Sequence, residues 1–210
     1  MSPPELLAEL LAQGIAQLKL NVAPEAQRKL LLYLDLLHKW NKVYNLTSIR
    51  NPNQMVSHHL LDSLAVLPHL WSGRWLDVGA GAGLPGLVLA VLRPQWTFTV
   101  LDSNSKKISF MQQAVIELGL KNVTVCGARV EDWQPPEKFN GIISRAFAET
   151  AEFIAVTRHL LAPQGRWVAM KGEPEQELER LPADVKMEQL IKLHIPGLNA
   201  TRCLVLLKAI

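Results

Sequence analysis

Hydrophobic residues in the first third of the chain recur at helical spacing. Leu7, Leu10, Leu11, Ile15 and Leu18 fall on one face; Leu30, Leu34, Leu37, Asn41 and Tyr44 fall on another, with Asn41 interrupting an apolar stripe. Pro24 and Pro52 suit first helical turns, and Asn51 suits the cap of the helix that Pro52 opens. That third helix is predicted to run to about Leu67, before Pro68. From Arg74 the period changes. Short apolar runs at 75–78, 97–101, 123–126, 141–144, 167–170, 187–195 and 203–207 alternate with helical stretches near 84–92, 104–119, 148–161 and, more weakly, 174–181. Such alternation predicts a parallel sheet with helices on both faces. The last two runs are joined by residues 196–199 with no helix between, so they are expected to pair as an antiparallel hairpin at an edge. The expected fold is α/β: a Rossmann-like sheet of seven strands over residues 73–210, the last antiparallel, preceded by a helical extension over residues 1–72.

Composition adds mainly exclusions. A chain of 210 residues suffices for one domain with a good core plus an extension. A net charge of +3 does not by itself make a nucleic-acid binder. Cys126 and Cys203 are too few for a disulfide scaffold and lack zinc spacing, so no metal is expected and a reducing compartment is. Neither a signal core nor an apolar run long enough to cross a bilayer is present, which leads to an expectation of a cytoplasmic chain without membrane contact. Nothing implies a protein partner, and a monomer is expected.

Residues 77–86, Asp-Val-Gly-Ala-Gly-Ala-Gly-Leu-Pro-Gly, follow an apolar strand and lead into an apolar helix. Gly81, Gly83 and Gly86 satisfy the dinucleotide fingerprint G-x-G-x-x-G. Asp77 opposes that reading. A pyrophosphate wants a positive helix end and no adjacent carboxylate. S-adenosylmethionine carries no phosphate, only an ammonium, a carboxylate and a sulfonium, and a carboxylate before the first glycine suits it, directly or by orienting the loop. Gly79, Gly81 and Gly83 are the candidate cradle. Asp102, about twenty residues beyond the loop, is placed to take ribose hydroxyls, and Val130 and Glu131 lie where adenine is expected.

The chain resembles the bacterial glucose-inhibited-division protein B family, guanine-N7 methyltransferases of small-subunit ribosomal RNA. The resemblance rests on Asn45-Leu46-Thr47-Ser48-Ile49, His58-His59-Leu60-Leu61-Asp62-Ser63-Leu64, the loop at 77–86, Ser144-Arg145-Ala146 and Met170-Lys171-Gly172. It implies the class I methyltransferase fold, S-adenosylmethionine as cofactor, and contacts to it at Gly79, Leu84, Val130, Glu131 and Arg145. It also implies 16S ribosomal RNA or the small ribosomal subunit as partner, with guanine 527 as the target. Asn140 stands where the family usually has Asp, at the end of the fourth strand expected to lie away from the site.

The residues agree with N7 chemistry. Amino-directed methyltransferases place an Asn/Asp-Pro-Pro-aromatic motif after the fourth strand, where this chain has Ser144-Arg145-Ala146-Phe147. Enzymes acting on pyrimidine carbon 5 need a reactive cysteine, and both thiols here sit inside apolar runs. Guanine N7 already carries an exposed lone pair, so alignment can replace a base. Arg145 is assigned a positioning role toward cofactor, guanine or both, with an ion pair to Glu131 or Asp102 as its alternative.

Between Asp35 and Asp62 no acidic residue occurs. Lys39, Lys42, Asn45, Arg50 and His58 therefore form the candidate RNA edge, with Trp40 and Tyr44 interleaved, although their helical spacing on the apolar face favours core for both. Lys171 is open between substrate contact and structural pairing. A methyltransferase of another RNA, a small molecule or a protein, a nicotinamide-dependent oxidoreductase and a noncatalytic RNA-binding module remain the competing readings. Asp77 and the terminal hairpin oppose the oxidoreductase, and the intact loop opposes the binding module.

Overall fold

A computed structural model describes residues 2–145, 147 and 149–210; Ala146 of the motif at 144–146 lies outside them. Helix α1 (Pro3–Gln17) opens on a capping box made by Ser2 and Glu5. Helix α2 (Pro24–Tyr44) starts at its proline and ends at Asn45, which takes a left-handed conformation. Asn51 caps α3 (Pro52–Met55) through the Asn53 N–H. The predicted continuous helix to Leu67 is not regular. A π-helical turn, Val56–Leu61, separates α3 from α4 (Asp62–Leu64), and a 3-10 turn, Leu67–His69, follows. The Asp62 N–H reaches the Ser57 carbonyl, five residues back, as well as that of His59. Every residue from Met55 to Leu67 except His58 is buried, so the segment has no solvent face to enforce a regular helical period.

The sheet contains β1 (Arg74–Val78), β2 (Thr97–Asp102), β3 (Val123–Gly127), β4 (Phe139–Ser144), β5 (Leu161–Lys171), β6 (Val185–Leu193) and β7 (Arg202–Ala209) in the order β3-β2-β1-β4-β5-β7-β6. The first five strands are parallel, and β7 runs antiparallel between β5 and β6. The expected hairpin is present, with its second strand inserted inward. Helices α5 (Gly86–Leu92), α6 (Ser105–Glu117), α7 (Thr150–Thr157) and α8 (Glu175–Leu178) occupy the connections. Strand β4 begins two residues earlier than predicted because Phe139 is buried and Asn140 accepts the Arg74 N–H at 2.9 Å. Asn140 thus lies at the far end, as expected.

One face of the sheet and the N-terminal helices share a single core. Leu11, Leu30, Tyr33 and Leu37 belong to the same cluster as Phe98, Phe110, Val168 and Leu204. The other face packs Leu76, Ile142, Phe153, Trp167 and Val205. Truncating a leucine in such a core costs about 2–5 kcal/mol. No described helix is long and apolar enough to cross a membrane. Strand order reverses between β1 and β4, whose registers pair Leu76 with Ile142 and Asp77 with Ile143. The C-terminal ends of these strands make the crevice where open α/β sheets bind ligands.

Candidate active site at the sheet's switch point

Asp77 is fully buried near the end of β1, and its Oδ2 accepts the Gly86 N–H at 2.7 Å, closing the loop across nine residues. Among the described residues its Oδ1 has no hydrogen-bond partner. Burial pushes this carboxyl from an ordinary value near 3.8 up to about 7, against the Gly86 bond and the nearby Arg145 charge. A Cβ at Gly86 would stand 2.8 Å from Asp77 Oδ2, so only glycine permits this closure. Gly79, Gly81 and Gly83 all have positive φ, 66°, 60° and 83°. At Gly83 a side chain would also strike Leu87, 2.3 Å away.

Asp102 ends β2 and is turned inward. Its Oδ2 accepts the Gly81 N–H at 3.0 Å and lies 3.6 Å from Lys107 Nζ, while Oδ1 accepts the Asn104 N–H at 2.9 Å. Asn104 in turn caps α6 through Lys106 and Lys107. Asp102 therefore shapes the cradle from below, a role the ribose assignment did not include. Leu84 is buried and its N–H is spent on the Ala80 carbonyl, which leaves only its backbone oxygen for a ligand. Val130 is buried in the second core, and Glu131 beside it is exposed.

The second N-terminal helix reaches the loop. The buried Tyr33 hydroxyl donates to the Ala82 carbonyl at 2.8 Å, and burial pushes that phenol strongly up. Sequence reasoning missed Tyr33; the signal was a polar-tipped aromatic on the apolar face of α2. Asn41, the polar interruption in that face, has a structural explanation. Its Oδ1 accepts the Thr47 N–H at 2.9 Å and its Nδ2 donates to the Ile49 carbonyl at 3.2 Å, which folds the loop after α2. Thr47 Oγ1 and His59 Nε2 share a hydrogen bond of 3.0 Å. Burial, then the Arg145 charge, lowers His59 to about 4, so its ring is neutral.

Arg145 follows β4, where Ser144 Oγ donates to the Val78 carbonyl at 2.9 Å and ties the ends of β4 and β1 together. Its ion pair is with neither Glu131 nor Asp102, the partners of the alternative reading. Nη1 donates to the His58 carbonyl at 3.0 Å and to Asp62 Oδ2 at 3.3 Å. The Arg145 charge is felt at Tyr33, His59 and Asp77, so its guanidinium is the cation common to the site.

The contacts of Lys171 are those of the structural-pairing reading. Only 9% of its side chain is exposed, and Nζ lies 2.7 Å from Glu177 Oε2 and 2.8 Å from the Phe147 carbonyl. The same Glu177 oxygen accepts from the Thr150 N–H and hydroxyl. Burial acts to raise Glu177, but the bonds from Lys171 and Thr150 outweigh it and hold the carboxyl below its usual value. The cluster ties Phe147, the start of α7 and α8 to the end of β5. On the proposed RNA edge, Lys42, Asn45 and Arg50 are exposed and His58 is half-buried, whereas Lys39 is paired with Asp35 one turn back. Arg50 Nη2 donates to Asn45 Oδ1 at 2.8 Å. Trp40 packs edge-on to Phe110, as core, and Tyr44 is 41% exposed.

The donor set fits S-adenosylmethionine better than a pyrophosphate. Residues 77–92 contain no lysine or arginine, two carboxylates stand behind the cradle, and a Cβ at Gly81 would meet nothing closer than 3.9 Å. The same fold recurs in solved structures. TrmN from Thermus thermophilus superposes with a TM-score of 0.57 at 17% identity, over 74% of this chain and 53% of that one. A SAM-dependent methyltransferase from Aquifex aeolicus gives 0.57 at 18% identity, over 78% and 96%.

Sheet order, inserted antiparallel strand and phosphate-averse loop define the class I S-adenosylmethionine-dependent methyltransferases. Within that class, the family model described as "rRNA small subunit methyltransferase G" matches residues 26–205. The protein named ribosomal RNA small subunit methyltransferase G from Laribacter hongkongensis is 50% identical over 200 residues, 95% of this chain and 97% of that one. Its namesake from Methylobacillus flagellatus is 51% identical over 204 residues, 97% and 98%. The chain belongs to the rRNA small subunit methyltransferase G family.

Proposed function

We propose that this chain methylates N7 of a guanine in 16S ribosomal RNA, guanine 527 by family resemblance, by direct in-line attack without a general base. S-adenosylmethionine, when bound, supplies the electrophilic methyl group. Gly79, Gly81, Gly83 and the Leu84 backbone would hold it, with Asp77 and Asp102 setting the loop's shape and a favourable field for its cation. Val130 and Glu131 would flank its adenine, and Arg145 would orient cofactor, guanine or both.

One observation carries the reading. The groups buried behind the loop are closed off from a substrate proton, whereas a guanidinium stands at the end of β4. Tyr33 and Asp77 are buried and internally bonded, His59 is buried, and both thiols are pushed up by burial. A nucleophile with its own lone pair needs alignment alone, and alignment is worth several kcal/mol of barrier. An arginine suits guanine O6 or a phosphate. Lys39, Lys42, Asn45, Arg50 and His58 would approach the RNA from the N-terminal side.

Labelled methyl transfer to 16S ribosomal RNA, naked and in small-subunit particles, followed by chemical cleavage at N7-methylguanine, tests the proposal. Label that coincides with one cleavage supports it. Label in the RNA without cleavage would place the methyl on another atom.

A further inference from the structure

Asp62 is 1% exposed and is held by two guanidinium groups from distant parts of the chain. Arg145 Nη1 lies 3.3 Å from Oδ2, and Arg202 Nε, from the first residue of β7, lies 3.2 Å from Oδ1. Arg145 Nη1 also donates to the His58 carbonyl, in the π turn that leads into Asp62. Arg202 Nη1 donates to the Thr201 carbonyl, so this second arginine is itself anchored. One carboxylate therefore joins the π turn, the end of β4 and the start of β7.

We infer that Asp62 is a positioning residue for methyl transfer: braced from behind by Arg202, it presents one oxygen to Arg145 and fixes that guanidinium at the crevice. The inference rests on the proposed role of Arg145 in transfer. Two physical points support it. A buried ion pair is seldom the most stabilising filling for a protein interior, since apolar residues of like volume often do as well or better. An acid buried between two arginines therefore calls for a role beyond stability. Arg145 is also only partly covered, with 28% of its side chain exposed, and an arginine so placed samples several rotamers unless something holds it. With Oδ1 engaged by Arg202, the carboxylate cannot rotate to follow Arg145 outward, and the guanidinium is confined to one direction.

The test uses Asp62→Asn and Arg202→Gln, alone and combined with Arg145→Gln, each checked by thermal unfolding. Folded Asp62→Asn should lower kcat by about 10- to 100-fold while KM for RNA changes less than about threefold, the pattern of lost alignment. In the Arg145→Gln background it should lower single-turnover transfer no further. Arg202→Gln, on the more exposed side, should lower kcat by roughly three- to tenfold with the same non-additivity, and it serves if Asp62→Asn does not fold. A second arm needs no substrate: phenylglyoxal modification of Arg145, mapped by mass spectrometry, should be several-fold faster in the folded variants. Unchanged kcat, additive losses or unchanged Arg145 reactivity would each overturn the inference. If the wild-type chain transfers no methyl to 16S ribosomal RNA, the proposed function fails while the modification arm still decides whether Asp62 holds Arg145.

Discussion

Tyr33 and Ala82 are 49 residues apart in sequence and joined by a buried hydrogen bond of 2.8 Å, phenol to carbonyl, so α2 holds the glycine loop directly. Tyr33→Phe leaves that carbonyl buried without a donor, which costs about 1–3 kcal/mol. The expected outcome is a loss of that size in urea unfolding and a several-fold rise in the Kd for S-adenosylmethionine by calorimetry. Unaltered values of both would mean that the loop keeps its shape without the bond.

Asp77 should make cofactor binding pH-dependent. Its carboxyl titrates near 7 in the fold and near 3.8 when unfolded. A raised value favours the folded state at low pH, and that contribution disappears as pH rises through about 7. A cationic ligand reverses the preference by favouring the carboxylate, so binding at pH 6 to 7 should release a proton. Calorimetry in buffers of different ionisation heat should detect the proton for the wild-type chain and none for Asp77→Asn. Because the amide can still accept from Gly86, the variant should fold, with affinity lower by about tenfold at pH 8.

Arg145→Ala should keep the fold and lose methyl transfer by about 100-fold or more, as expected when alignment of reacting groups is lost. Circular dichroism and single-turnover transfer check the two halves. Turnover within a few-fold of normal would remove Arg145 from the mechanism.

Lys171→Met should act on stability rather than on RNA. It strands Glu177 beside Thr150, and breaking a largely buried pair costs about 3–5 kcal/mol, somewhat less here because Glu177 is 19% exposed. Substrate binding by the variant, measured below its melting temperature, should retain the wild-type salt slope. A shallower slope would return Lys171 to the RNA surface.

On the proposed RNA edge the exposed cations should differ in effect. Lys42→Ala and Arg50→Ala should each weaken RNA binding across sequences and flatten the salt dependence by about one unit, as for a lost phosphate contact. Lys39→Ala should do less, since its ammonium is already engaged by Asp35 at 2.7 Å. Filter binding from 50 to 300 mM salt would rank the three. A rank led by Lys39 would relocate the edge toward the middle of α2.

The sheet was legible because its cues are local: apolar runs, the glycine loop and the helix-free stretch at 196–199 each declare themselves within a dozen residues. Strand β4 was read two residues short because Asn140 breaks the apolar run while its side chain caps β1. The π turn was not legible, since a segment buried nearly all round shows no period to measure. The ties between distant residues were hidden for another reason. Asp62 lies 83 residues from Arg145 and 140 from Arg202, and sequence spacing carries no information about which carboxylate an arginine will meet. Lys171 was undecidable until Glu177 was placed beside it. Asp77 declared which ligand the glycine loop suits; Tyr33, and the hold that Asp102 takes on the loop, emerged only in three dimensions.

The inward insertion of β7 bears on how the chain is made. During synthesis β5 and β6 leave the ribosome before the strand that separates them, so both carry open edges until β7 arrives. Each edge could pair wrongly with the other or with a neighbouring chain. Arg202, which braces Asp62, opens that same late strand. On the inference above, a nascent chain could assemble the glycine loop early and still lack a fixed Arg145 until β7 is in place.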